Sequence, residues 1–271
     1  MITKGQVEIN GIHLSYLKSG KGKDFILFIH GSGMTSENWL PQLQDARLTS
    51  HYTLVAIDLP GHGESSRSSA DATVYHPKKL ALLVEPLLDH LHAERFLLVG
   101  LSLGTTIIAE IKPPIRGCVG IMLASAFLLN DHITPADILT VGPYGHVMAA
   151  TNATDEDIRA FVYSHMSNEP IAERYILDYK TTDPAFREKL GKMMTDGTWT
   201  NEIANVQSWR LPLCIVMGED DSLMKVNYMD SFSPLWNDKV YFIRNAGHFL
   251  NAEQPIQFNE LLFSYAGQQF K

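Results

Sequence analysis

Phe96-Leu97-Leu98-Val99-Gly100-Leu101-Ser102-Leu103-Gly104-Thr105-Thr106-Ile107-Ile108-Ala109-Glu110 is the stretch whose reading decides the fold. Its first four residues form a continuous apolar run, as expected of a strand buried on both faces. From Thr105 onward the chain can continue as a helix. Between the two, Gly100-Leu101-Ser102-Leu103-Gly104 has the Gly-x-Ser-x-Gly pattern of a nucleophile elbow, a strained turn that lifts a serine hydroxyl above a sheet. Glycine is required at both ends because a Cβ would clash where strand and helix approach. The serine also lands at a helix N-terminus, whose partial positive charge favours a developing anion.

Outward from this turn the strand signal repeats. Residues 6–10 and 13–17 alternate about Asn10-Gly11, a strong hairpin signal. Residues 25–29 read as a buried strand ending in His30-Gly31-Ser32-Gly33. Residues 52–57 read likewise and end in Asp58-Leu59-Pro60-Gly61-His62-Gly63. Residues 79–91 are expected to be helical; residues 119–124, 213–217 and 240–243 are expected strands, with a closing helix over 255–265. Strands alternating with helices imply an α/β protein with a mostly parallel, eight-stranded sheet. Between residues 125 and 205 the strand signal vanishes, and helices are expected over 135–141, 155–166, 169–179 and 184–194. The expected division is therefore a core of residues 1–124 and 206–271, with residues 125–205 inserted as a helical cap, or lid.

Bulk properties narrow the partners. Twenty-two basic and 30 acidic residues give a net charge of −8, which argues against nucleic acid and anionic membranes. No apolar stretch reaches membrane-spanning length, and residues 1–6 lack the basic-then-apolar pattern of a secretory signal. Cys118 and Cys214 each adjoin an apolar run and read as buried free thiols, so a cytoplasmic location is expected. No histidine or cysteine cluster has zinc-like spacing, and neither a metal nor an organic cofactor is implied.

A serine hydroxyl needs a base to take its proton, and the base needs a third group to orient it. After the elbow, the order acid then histidine is expected. His248 follows the last expected strand in Asn245-Ala246-Gly247-His248 and is assigned as the base. Glu219, Asp220 and Asp221 follow the preceding strand; Asp221 is the choice for the acid and Glu219 the runner-up. Backbone donors for an oxyanion are expected from the N–H groups of Leu103 and Ser32, with Gly31 and Gly33 allowing close approach. The turn-forming residues around Asp58 and His62 give both a structural reading. Gly33, Trp39, Phe127, Met148, Phe161, Tyr163 and Met166 are candidates to line an apolar pocket, although core packing explains each singly.

Together these motifs, in this order, resemble the α/β-hydrolase superfamily over nearly the whole chain. Ser102 at the nucleophile position disfavours its aspartate-nucleophile branches, and Thr105 stands where many relatives have a second glycine. Residues 142–157, Ser167-Asn168-Glu169-Pro170, and Thr182-Asp183 with Arg187 resemble the lid of N-acyl-homoserine-lactone lactonases of this fold. Those lactonases tend to have asparagine at Ser32 and a substrate-contacting tyrosine near Phe161, a role left here to Tyr163 or Tyr144. The resemblance implies a serine hydrolase of carboxylic esters or lactones acting through an acyl-enzyme. The His30-Gly31-Ser32-Gly33 loop also resembles that of C–C bond hydrolases of vinylogous diketones. A small-molecule receptor on the same fold is the non-enzyme alternative.

Overall fold

Ile26, Leu27, Phe28 and Ile29 are all inaccessible to solvent, yet they serve two different cores. Side chains alternate along a strand, so Leu27 and Ile29 join the apolar cluster on one face while Ile26 and Phe28 join that on the other. Phe96 and Leu98 divide from Leu97, Val99 and Leu101 in the same way. Continuous apolar runs therefore form the middle of a sheet covered on both sides.

The structure is a computed structural model, and it describes residues 1–67, 72–112, 115–140, 142–225 and 232–271. Eight strands, β1 (Thr3–Ile9), β2 (Ile12–Gly20), β3 (Asp24–Ile29), β4 (Tyr52–Ile57), β5 (Phe96–Leu101), β6 (Cys118–Ala124), β7 (Leu213–Gly218) and β8 (Tyr241–Ile243), form one sheet. Their order is β1-β2-β4-β3-β5-β6-β7-β8. The hairpin β1–β2 is antiparallel and pairs antiparallel with β4; every other pairing is parallel. The carboxyl ends of β3 to β8 thus open on one edge, where an open parallel sheet presents its crevice.

The helices are α1 (Leu40–Leu43), α2 (Ala46–His51), α3 (Pro77–Ala81), α4 (Val84–His90), α5 (Leu103–Ala109), α6 (Pro135–Ile138), α7 (Asp155–His165), α8 (Glu169–Thr181), α9 (Pro184–Asp196), α10 (Glu202–Ser208), α11 (Leu250–Glu253) and α12 (Pro255–Gln269). Among the described residues, only helical elements and turns lie between β6 and β7, apart from a bridge between Leu139 and Met224.

Two expectations are corrected. The single helix over 79–91 is two, α3 and α4, because Pro86 has no N–H and its ring would strike the residue-82 carbonyl of a continuous helix. Starting α4 at Val84 places Pro86 in a first turn, where that N–H is not needed. The helix over 135–141 ends at Ile138, since Leu139 is extended (φ −83°, ψ 140°) and bridges Met224; Val141 lies outside the described residues. Helix α10 runs across the expected boundary at residues 205/206. Its Asn205 amide donates to the Ala109 carbonyl (3.1 Å) at the end of α5, so it packs on the elbow helix.

Candidate active site

Ser102 sits between β5 and α5 with φ 52° and ψ −117°, a conformation seldom adopted by a residue with a side chain. A Cβ at Gly100 would lie 2.7 Å from the Gly104 backbone, and one at Gly104 would lie 2.2 Å from the Ile29 carbonyl oxygen. Both glycines are therefore required by contact. Thr105 does more than narrow this corner. Its hydroxyl donates to the Ser102 carbonyl (2.6 Å) and accepts from the Phe127 N–H (2.8 Å), tying the turn to the chain leaving β6.

His248 follows β8 and is buried; its carbonyl accepts from the Ser125 hydroxyl (2.8 Å). Its Nδ1 lies 2.9 Å from Asp221 Oδ2. The other oxygen of Asp221 accepts from the N–H groups of Leu223 (2.9 Å) and Met224 (3.0 Å). An Nδ1–H donated to the carboxylate leaves Nε2 unprotonated and able to accept a proton. Glu219 is exposed, with an oxygen 3.9 Å from Arg244 Nε, and Asp220 is exposed as well. Ser102 and His248 line one cavity. Among the described residues no hydrogen bond joins the serine hydroxyl to the ring, a looseness common in such pairs before substrate closes them.

Leu103 is the first residue of α5, so its N–H has no partner within the helix. The loop holding Ser32 is fixed on several sides. The Leu59 N–H donates to His30 Nε2 (3.0 Å), so His30 Nδ1 carries the proton and donates to the Gly31 carbonyl (2.7 Å). The Gly33 N–H donates to His62 Nε2 (3.3 Å), so His62 Nδ1 donates to the Pro60 carbonyl (3.2 Å). Burial holds both imidazoles below the usual histidine range, and the neighbouring Arg187 charge further disfavours protonation of His62. Asp58 accepts from the N–H groups of Ser36 (2.7 Å) and Glu64 (3.0 Å). Asp58 and His62 thus hold loops together.

Of the expected lining residues, Phe127, Met148 and Phe161 face the cavity. Four others do not. Trp39 packs between Phe28 and Phe258, at ring distances of 4.7 and 6.0 Å, in the core below. Met166 is buried in the same apolar cluster. Tyr163 is exposed and donates to Glu173, and Gly33 gives its N–H to His62. Tyr144 is exposed too. The aromatic hydroxyls at the cavity belong instead to Tyr175 and Tyr179 of α8, and a second imidazole, His165, stands at the end of α7. The spacing of Tyr175 and Tyr179 by four residues, one face of a helix, was the available signal for them.

Among the described residues no Lys, Arg, Asp or Glu lines this cavity. Arg187, buried nearby, spends its donors on the carbonyls of Ala150, Tyr179 and Thr182 and stacks 4.3 Å from the Tyr179 ring. No group of three metal-ligating side chains, and no helix long and apolar enough to cross a membrane, occurs among the described residues.

A glycine-bounded serine turn at the end of a central parallel strand, with a carboxylate-bound histidine across the crevice, defines a class. The chain belongs to the alpha/beta hydrolase family, whose family model matches residues 26–261. Among its relatives, the dihydrolipoyllysine-residue acetyltransferase component of the acetoin cleaving system of Cupriavidus necator is 27% identical over 274 residues, covering 96% of this chain and 68% of that protein. The uncharacterized hydrolase YugF of Bacillus subtilis is 24% identical, covering 93% of each. The N-acyl homoserine lactonase AidH complexed with N-butanoyl homoserine superposes with a TM-score of 0.88 at 23% identity, covering 97% of this chain and 96% of that one. A putative aryl esterase from Burkholderia cenocepacia gives 0.82 at 22%, covering 99% of each. At these identities the likeness is one of fold.

Proposed function

We propose that this protein is a serine hydrolase of neutral carboxylic esters or lactones bearing an apolar acyl group. The hydrogen bond from His248 Nδ1 to Asp221 Oδ2, in a cavity that Ser102 also lines, carries this reading. Ser102 Oγ attacks the carbonyl carbon as His248 Nε2 takes the hydroxyl proton, and Asp221 stabilises the resulting imidazolium. The N–H groups of Ser32 and Leu103 hold the oxyanion. Collapse breaks the ester C–O bond, and the departing alkoxide takes the proton from His248. Water activated by the same base then releases the acid and regenerates Ser102. In a lactone the leaving alcohol stays attached to the acyl group, so the free product is a hydroxy acid. Residues 125–205 act as the cap over this site.

The neutral lining favours this reading over C–C bond hydrolysis. One relative acts, by its name, on 2-hydroxy-6-oxononadienedioate, whose two carboxylates need cationic partners. Burying an unpaired carboxylate costs several kcal/mol. Expected rates are therefore high for p-nitrophenyl hexanoate and N-hexanoyl homoserine lactone. An activated ester of succinic acid, with its second carboxylate free, should be slower by on the order of 100-fold in kcat/KM. Ser102→Ala should reduce turnover by at least about 10³-fold. Full activity in Ser102→Ala, or preference for the anionic ester, refutes the proposal. Ligand binding with at most one turnover assigns a receptor instead.

A further inference from the structure

The loop expected to hold the oxyanion is braced from two directions, and only one brace comes from the sheet side. His30 fixes the Gly31 carbonyl, and hence the plane of the peptide that carries the Ser32 N–H. The next peptide, Ser32–Gly33, is gripped at both ends. His62 accepts from its N–H at 3.3 Å, and the Tyr175 hydroxyl donates to its carbonyl oxygen at 3.2 Å. Tyr175 lies on α8, a helix of the segment between β6 and β7. A Cβ on Gly33 would lie 3.1 Å from the Tyr175 hydroxyl oxygen, so side chain and loop backbone are in contact. The Tyr175 ring meets that of Phe249, the neighbour of His248, edge-on at 5.0 Å. Burial holds its hydroxyl protonated, well above the ordinary tyrosine range, and therefore a donor.

Two further links bind α8 to the same loop. The Thr35 hydroxyl donates to Asp178 Oδ2 (3.1 Å), and Arg174 reaches both Thr35 and Glu37. The helix and the donor loop are thus joined at Ser32, Thr35 and Glu37.

We propose that Tyr175 is a positioning residue for the reaction: its hydroxyl, opposed by His62, fixes the Ser32–Gly33 peptide and so aims the Ser32 N–H at the oxyanion. This rests on the hydrolase reading above. The donor geometry then depends on α8 being seated, and lifting that helix releases the loop.

The test is Tyr175→Phe, which keeps the ring on Phe249 and removes the hydroxyl. With p-nitrophenyl hexanoate, kcat should fall roughly tenfold while KM stays within about twofold; losing an oxyanion donor outright costs 10²–10³. A trifluoromethyl ketone, which adds to Ser102 and places an oxyanion on the same donors, should bind weaker by the same factor. Hydrogen–deuterium exchange over residues 30–36 should quicken in Tyr175→Phe. It should not quicken in Tyr179→Phe, which stands in the same cavity wall but donates its hydroxyl to the Val147 carbonyl. Unchanged exchange, or a raised KM with kcat intact, overturns the proposal and leaves Tyr175 as wall only. A wild-type protein inert toward every ester and lactone overturns the hydrolase reading instead, and exchange still decides whether the hydroxyl holds the loop.

Discussion

Three consecutive acids follow β7, and their chemistry is nearly the same; position separates them. Asp221 has its Oδ1 on two backbone N–H groups, which leaves Oδ2 aimed at His248. A carboxylate held this way orients the imidazole without a search through rotamers, whereas exposed Glu219 lies loosely beside Arg244. Asp221→Asn should lower kcat for a chromogenic ester by on the order of 10³–10⁴-fold by favouring the wrong histidine tautomer. Glu219→Gln should change it by less than about threefold. Equal losses in the two variants contradict the assignment. This is also where the sequence was least explicit. Ser102 announces itself because glycines must bound its turn, and His248 because it follows the last strand. Choosing among adjacent carboxylates depends on side-chain direction in a turn, which no local pattern encodes. Tyr175 and Tyr179 were hidden for the same reason, since only the docking of α8 decides which of its faces meets the cavity.

Elements were more legible than faces. Runs buried on both sides can only be interior strands, and the hairpin at Asn10-Gly11 forms where its turn chemistry demands. The misjudged elements are those where a long-range contact or a proline intervened: the break before Pro86 and the end of α6 at the Leu139–Met224 bridge. The closest approach in the fold motif is a glycine on β3 backbone. Gly104→Ala should cost about 3 kcal/mol or more in chemical denaturation, because the obstacle 2.2 Å from its Cβ is the Ile29 carbonyl and not a movable side chain. A loss below about 1 kcal/mol would show that strand and helix can part at little expense.

Across the whole molecule, the helical segment is not confined to one core. Phe161 of α7 and Ile176 of α8 belong to the cluster on one face of the sheet, while Phe186 and Leu190 of α9 belong to that on the other. Trp199, just after α9, donates to the Asn130 carbonyl (3.1 Å). Segment and sheet should therefore unfold together. Denaturation followed by tryptophan fluorescence and by far-ultraviolet circular dichroism should give coincident single transitions; separate midpoints would mean that the helices open as an independent unit. One feature of the cavity bears on what such a stable body tolerates. Met34, Met148, Met194 and Met224 all contribute to its wall, and unbranched thioethers are supple and polarisable, reshaping around whatever lies against them. On the ester and lactone reading proposed above, such a wall would be strict about charge and yielding about length, so successive acyl chains would meet a graded fit in place of a fixed stop.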